Sequence, residues 1–321
     1  MPLRLEEVSR HHARAEAVNA MPAPPQTALH WGAEALCAQL EPRLPGLSVE
    51  VVERIASTNS ALLERARSVG EVREEGEIAQ VWRSVESGAF GRRSADMQPC
   101  LLVAEHQTHG RGRHGRSWQA AAGASLTFSL ALPLAPRDWS GLSLAVGVAL
   151  ADALDPPRDG ATARIGVKWP NDLWLQGSGG GGRKLGGILI ETVAAGSRRL
   201  AVVGVGLNVL PLDAGDASSG FACLQELDPH ASAPHALARV AEPLVDALLQ
   251  FERDGFEPFT LRFAARDLLR ERRVRTTSPD ATEGIAVGVS NSGALLLRTA
   301  DGVRAVTSGE VSVRLDPSAP C

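Results

Sequence analysis

The chain has 321 residues, 44% of them hydrophobic, and a formal net charge of −4. That length holds one large or two ordinary domains with a real core, and the acidic balance argues against general nucleic-acid binding. No apolar run is long enough to span a bilayer, the N-terminus lacks a signal peptide's apolar region, and four scattered cysteines fit a reducing cytoplasm.

Residues 1 to about 27 read as a tail, with Pro22, Pro24 and Pro25 clustered. Residues 29–40 predict a short amphipathic helix and residues 47–55 an alternating strand. Ser57, Thr58 and Asn59 then stand where a helix over residues 60–67 needs its N-cap. Residues 71–96, charged and weakly periodic, read as a surface insertion, and residues 100–104 as a strand. Further on, the pattern predicts strands over 126–132, 165–169, 173–175, 184–193 and 199–209, with a hairpin tip at 177–182. Helices are expected over 140–154, 232–251 and 258–269. From Arg273 the texture changes to five short β segments broken by turns, which suggests a small barrel. The larger unit reads as α+β, a mixed sheet with helices on one face.

Between the strand at 100–104 and the run at 126–132 lies Gly110-Arg111-Gly112-Arg113-His114-Gly115. Glycine lets backbone N–H groups approach a ligand, and arginine supplies fork-shaped donors for phosphate or carboxylate. Such a segment is suited to closing over an anion. It also spells G-x-G-x-x-G, but no helix opens at it and no acidic residue ends a second strand about twenty positions on, so the dinucleotide fingerprint does not apply. A kinase glycine loop is excluded too, because no V-A-I-K, H-R-D or D-F-G follows. His106, His109 and His114 have no further Cys/His pairing, so no metal site is expected from them.

Of 33 basic residues only two, Lys168 and Lys184, are lysine. Where arginine has taken nearly every basic position, the surviving lysines mark sites that a planar guanidinium does not fit. Both fall in motif-like stretches.

Five stretches in order resemble the biotin–protein ligases. They are Ser57-Thr58-Asn59, residues 105–115 with the glycine loop, Lys168-Trp169-Pro170-Asn171-Asp172-Leu173, Arg183-Lys184-Leu185-Gly186-Gly187-Ile188-Leu189-Ile190-Glu191, and Gly204-Val205-Gly206-Leu207-Asn208-Val209. A glycine loop alone is poor support; five ordered motifs are strong support. The resemblance covers residues 47–315. It implies a mixed-sheet catalytic domain at 47–269 and an SH3-like barrel at 270–321, with 1–46 as tail and short helix. The implied activity joins biotin to ATP as biotinyl-5′-AMP, with Mg2+, and passes biotin to a lysine of a carboxylase carrier domain. A lipoate ligase of the same fold and a biotin-sensing repressor are the rival readings. Too few residues precede Ser57 for a winged helix, so no DNA binding is expected. A cytoplasmic location is implied, and a homodimer is left open.

The resemblance also implies residue roles. Ser57, Thr58, Asn59 and Gln107 would serve biotin's ureido ring, with helix capping as the plainer role of Ser57 and Thr58. Gly110, Arg111, Gly112, Arg113 and Arg116 would close over the anions, and Lys184 would stand as a point charge between carboxylate and α-phosphate. Arg113, Lys184 and Asp172 are the catalytic candidates, Asp172 receiving the acceptor lysine's proton or only shaping a turn. Lys168 contacts phosphate or supports that turn; Asn171, Gly187 and Asn208 belong to the same motifs. Trp118 lines the apolar tail or simply packs, and Phe221 covers adenine or fills core. Arg314 approaches nucleotide or carrier. Thr108 and His109 depart from the familiar pattern and inherit no role.

Overall fold

The computed structural model describes residues 29–67, 80–83, 98–158, 160, 162–177, 181–195, 198–212, 220–277, 283–307 and 313–315. The expected tail through residue 27 and most of the expected insertion lie outside them. Helices are α1 (Ala33–Leu40), α2 (Thr58–Arg67), α3 (Leu142–Leu154), α4 (Ala233–Asp254) and α5 (Thr260–Ala264). The first strands are β1 (Ser48–Ile55), β2 (Gln80–Arg83), β3 (Cys100–Gln107), β4 (Gly110–Arg111), β5 (Ser117–Trp118) and β6 (Ser125–Pro133). β7 (Ile165–Lys168), β8 (Asp172–Gln176), β9 (Gly182–Ala195) and β10 (Arg198–Asn208) follow. The last five are β11 (Arg273–Thr276), β12 (Glu283–Val289), β13 (Leu295–Thr299), β14 (Gly302–Val306) and β15 (Val313–Leu315).

Eight strands form one sheet in the order β2-β1-β3-β6-β10-β9-β8-β7. Its only parallel pair in the described residues is β1 with β3, which makes the sheet mixed. Successive side chains on a strand point to opposite faces, and the core divides accordingly. Val51, Leu101, Val103 and Val203 face the layer of α1, α3 and α4, whereas Val52, Leu102, Ala104 and Val202 face Leu62, Leu63 and Ala66 of α2. The main helical layer thus covers one face as expected, and α2, alone among the described helices, lies against the other. That placement puts the start of α2 beside the middle of the sheet.

α3 is apolar nearly all round because it is buried between sheet and α4, and Gly147 lets it approach β7: a Cβ there would lie 3.2 Å from Val167 Cγ1. The C-terminal end of α3 is closed by Arg239 of α4, whose Nη2 donates to Ala153 O at 2.8 Å and Leu154 O at 3.1 Å.

Two expectations change. The stretch read wholly as insertion contains β2, which pairs antiparallel with β1, Val49 opposite Trp82. The helix expected over 258–269 ends at Ala264, because the chain then uses its backbone on the sheet edge. Arg266 O accepts from Val167 N at 2.8 Å and Leu268 N donates to Val167 O at 3.2 Å. The C-terminal segments form a five-stranded antiparallel sheet, β14-β13-β12-β11-β15, with no closing ladder between its edges among the described residues. Val274, Leu295 and Leu297 of this sheet share one apolar cluster with the main core, and Trp169 Nε1 donates to Gly293 O at 3.0 Å across the junction. No helix among the described residues is long and apolar enough to cross a membrane.

Candidate functional site

A cleft of about 800 Å³ opens beside the middle of the sheet. It is lined at the start of α2 by Ser57, Thr58 and Asn59, and from β3 by Gln107. The glycine-rich hairpin supplies Arg111, Gly112, Arg113, Arg116 and Trp118; the β7–β9 strands supply Lys168, Asn171, Asp172, Trp174, Lys184 and Gly187.

One end is neutral and almost dry. Ser57, Thr58 and Asn59 are each at most 4% exposed. Ser57 does cap α2, its Oγ accepting from Ser60 N at 3.4 Å, so the capping role and the cleft position coexist. Thr58 N donates to Gln107 Oε1 at 2.7 Å, and Thr58 Oγ1 lies 2.6 Å from Ser129 Oγ. Ser129 Oγ donates to Asn59 Oδ1 at 2.6 Å, while Asn59 Nδ2 donates to Leu189 O at 3.1 Å and Glu191 Oε2 at 3.0 Å. Glycines make the seats. A Cβ on Gly204 would lie 2.2 Å from Asn59 Oδ1, and one on Gly206 would lie 2.5 Å from the Trp118 ring.

The other end is cationic. Gly110-to-Gly115 is a hairpin: β4 pairs with β5, and Gly112 N donates to Arg116 O at 2.7 Å. Gly110 is required by that pairing, since a Cβ would stand 2.4 Å from Trp118 O. The turn passes through left-handed backbone at His114 (φ 57°) and Gly115 (φ 71°); histidine tolerates this region better than most side chains. Arg113 is half-buried and donates to Asn171 Oδ1 at 3.3 Å. Burial pulls its guanidinium below the usual range; the Asp172 carboxylate opposes this and Arg116 adds to it. Arginine stays charged regardless. Lys184 Nζ donates to Asp172 Oδ1 at 2.8 Å, and Asn171 Nδ2 donates to Ile188 O at 2.8 Å, fixing the turn between β7 and β8 against β9. Lys168 Nζ sits 4.3 Å from the Trp174 ring centroid, a cation–π distance. Arg111 is turned aside, donating to Glu191 Oε1 at 2.8 Å.

Not every expected site residue lines the cleft. Asn208 is buried beneath it and donates to Lys184 O at 3.2 Å and Ala222 O at 3.0 Å, bracing the strand that carries Lys184. Phe221 lies beside that strand, bridged to Lys184, with its carbonyl accepting from Arg183 Nη1 at 2.8 Å. Gly110 serves the base of the hairpin. Arg314 is on β15, opposite Arg275. Of residues 210–227, which the resemblance makes a loop over adenine, 213–219 lie outside the described set. Sequence reasoning missed Ser129, and it placed Gly204 and Gly206 in a motif without giving them a role. Their roles arise only from what neighbouring strands and the hairpin lay over them.

No group of three or more potential metal ligands occurs among the described residues, and Asp172 is the sole carboxylate among those lining the cleft. With Asp172 already on Lys184, a divalent cation here has no protein cage and would enter on substrate phosphates.

Residues 92–208 match the Biotin/lipoate A/B protein ligase family, and residues 271–314 match the Biotin protein ligase C terminal domain. The chain is 33% identical over 282 residues to the bifunctional ligase/repressor BirA of Escherichia coli, covering 86% of this chain and 77% of that protein. To the biotin--[acetyl-CoA-carboxylase] ligase of Mycobacterium tuberculosis it is 31% identical over 279 residues, covering 82% and 88%. Among solved structures, the biotin protein ligase from Aquifex aeolicus in complex with biotin and ATP aligns with a TM-score of 0.62 at 25% identity, covering 84% of this chain and 99% of that one.

Proposed function

Because the chain belongs to the biotin protein ligase family, we propose that it activates biotin with magnesium-bound ATP and transfers the biotinyl group to a lysine of a carboxylase carrier domain. The observation that carries this is the division of one cleft into a neutral hydrogen-bonding end and a cationic end. Biotin has that polarity: a ureido ring with donors and an acceptor at one side, a carboxylate at the other. Each ureido group left unpaired in a dry pocket would cost about 1–3 kcal/mol, which is what Thr58, Asn59 and Gln107 are there to avoid.

In the first step a carboxylate oxygen of biotin attacks the α-phosphorus; the new C–O–P bond forms as the bond to the β-phosphate oxygen breaks and pyrophosphate leaves. Two anions must be brought together, so Arg113, Arg116 and Lys168 screen their repulsion and Lys184 meets the charge at the α-phosphate. Asp172 holds Lys184 in place during this step. In the second step the acceptor amine attacks the acyl carbon, AMP leaves, and Asp172 takes the amine's proton. The unit carrying both steps is residues 47–269, with Arg314 of residues 270–321 reserved for nucleotide or carrier.

The test is isotope exchange between ATP and pyrophosphate. Exchange that requires biotin and is not supported by lipoate is expected. Incorporation of labelled biotin into a carrier domain, lost when its acceptor lysine is changed to arginine, is the second arm. Exchange with lipoate alone would move the substrate assignment; no exchange with either acid would end the proposal.

A further inference from the structure

Glu191 closes the motif that carries Lys184, yet neither chemical step above uses it. Its carboxylate is reached from two sides. Arg111 of the hairpin donates to Oε1 from Nη2 at 2.8 Å and to Oε2 from Nη1 at 3.3 Å, and Asn59 Nδ2 donates to Oε2 at 3.0 Å. Arg111 Nη1 also donates to Ser60 Oγ at 3.1 Å. One carboxylate on a sheet strand therefore ties the glycine hairpin to the helix start that forms the neutral end of the cleft.

The tie also has a direction. A carboxylate and a backbone carbonyl only accept, so Asn59 must turn Nδ2 toward Glu191 and Leu189 O and Oδ1 toward Ser129. Ser129 has one hydroxyl proton, and Oδ1 claims it. Thr58 Oγ1 lies 2.6 Å from Ser129 Oγ and 3.1 Å from Gln107 Oε1; with the Ser129 proton already used, its own proton goes to the nearer Ser129, and Gln107 Oε1 keeps the Thr58 backbone N–H at 2.7 Å. Reversing the Asn59 amide would set Oδ1 against the Leu189 carbonyl and the Glu191 carboxylate together. Gly204 makes the room this orientation needs: Asn59 Oδ1 sits 2.2 Å from where a Cβ on that residue would stand.

We propose that Glu191 is a positioning residue for substrate binding. Through Asn59 it sets which way the hydroxyls of the neutral end point, and through Arg111 it holds the hairpin beside that end. The assignment of the bound group as biotin rests on the reading above; the tether itself does not.

Glu191→Gln keeps the shape and converts one acceptor oxygen into a donor that faces Arg111 or Asn59. The expected result is a biotin KM raised about tenfold, the worth of a charge-assisted hydrogen bond, with kcat and the KM for ATP within about twofold. A packing defect would not separate the two substrates in this way. Without any substrate, tryptic cleavage after Arg113 is expected to quicken in Glu191→Gln and, to a similar degree, in Arg111→Met. The Arg111 side chain is 45% exposed, so that second variant carries little risk to folding. The double variant is expected to be no worse than the more impaired single one, because both remove the same tie. Equal rises in both KM values, additive losses, or unchanged cleavage in both variants would overturn the proposal. If the wild-type chain shows no biotin-dependent exchange, the substrate reading fails, while the cleavage arm still decides the tether.

Discussion

The two ends of the cleft solve opposite problems. At the neutral end, side chains come from a helix start and central strands, are buried, and already hold one another through Thr58, Ser129, Asn59 and Gln107. At the cationic end, charges come from a hairpin and from strands near the sheet edge, and are only partly buried; Lys184 and Asp172 side chains keep 30% and 22% exposure. Burying neutral polar groups is inexpensive once they are paired, so that end can be completed before the ligand arrives. Burying several like charges without their anion is not, so the cationic end stays wet and spread out until phosphate joins it. Specificity is built in at the first end, and charge is gathered at the second.

The most severe way to break this arrangement is Lys184→Arg. A guanidinium is wider than the ammonium paired with Asp172 and spreads its charge. Biotin-dependent pyrophosphate release is expected to fall by about 10²–10³, the usual loss for a misplaced donor at developing charge, with the melting temperature unchanged. Near-normal release by the folded variant would remove Lys184 from the chemistry.

Glycine substitutions compare the rigidity of the two ends directly. Gly204→Ala forces a Cβ into Asn59 and is expected to destabilise the fold by about 1–3 kcal/mol. In Gly187→Ala the new Cβ would meet Asp172 Oδ1 at 3.5 Å and Lys184 Nζ at 3.6 Å, ordinary contact, so melting should hardly move. Equal melting shifts would contradict the contrast.

A smaller change sharpens the neutral end. Thr58→Val keeps the shape and leaves Ser129 without its donor, which is expected to weaken biotin binding by about 1–1.5 kcal/mol, about tenfold, as titration calorimetry would read.

The smallest effect is expected at Asp267, where buried polarity goes uncompensated. Oδ1 accepts from Leu269 N at 2.9 Å, but Oδ2 is buried without a partner, and burial pushes this carboxyl up from 3.8 to about 6. The folded state therefore holds the proton more tightly than the unfolded chain. The stability this gives is complete below pH 3.8 and is lost as pH rises through about 6. Asp267→Asn should flatten the fall in melting temperature between those values and gain about 1 kcal/mol above them, since the roughly 3 kcal/mol recovered is offset by about 1–3 kcal/mol for burying the amide nitrogen unpaired. An unchanged pH profile in the variant would show that Asp267 titrates normally.

The periodic parts of this fold were legible in its sequence. β3, β6, β9 and β10 alternate or run apolar, Ser57 marks the start of α2, and the glycine hairpin and both lysines identify themselves by composition. What escaped depends on partners far away in the chain. Ser129 looks like one polar break in an apolar strand until α2 is laid over it. Gly204 and Gly206 show their purpose only beneath Asn59 and the Trp118 ring. β2 is a four-residue edge strand in a charged stretch, too short to carry a readable period. α5 stops early because β7 competes for the backbone of Arg266, a contest no local propensity records.

The aromatic content has an optical consequence. The chain has no tyrosine and six tryptophans, and three of these, Trp118, Trp169 and Trp174, line the cleft. Its near-ultraviolet emission is thus dominated by indole, and half of the indoles border the cleft. Two of them sit in charged or strained optical surroundings: the Trp174 ring lies against the Lys168 ammonium, and the Trp118 indole nitrogen is buried without a hydrogen bond. A phosphate that draws Lys168 away would change the field on Trp174, while a movement of the hairpin would change the surroundings of Trp118. Single tryptophan-to-phenylalanine replacements would separate the two signals, so the unlabelled protein can report filling of each end of its cleft by its own fluorescence.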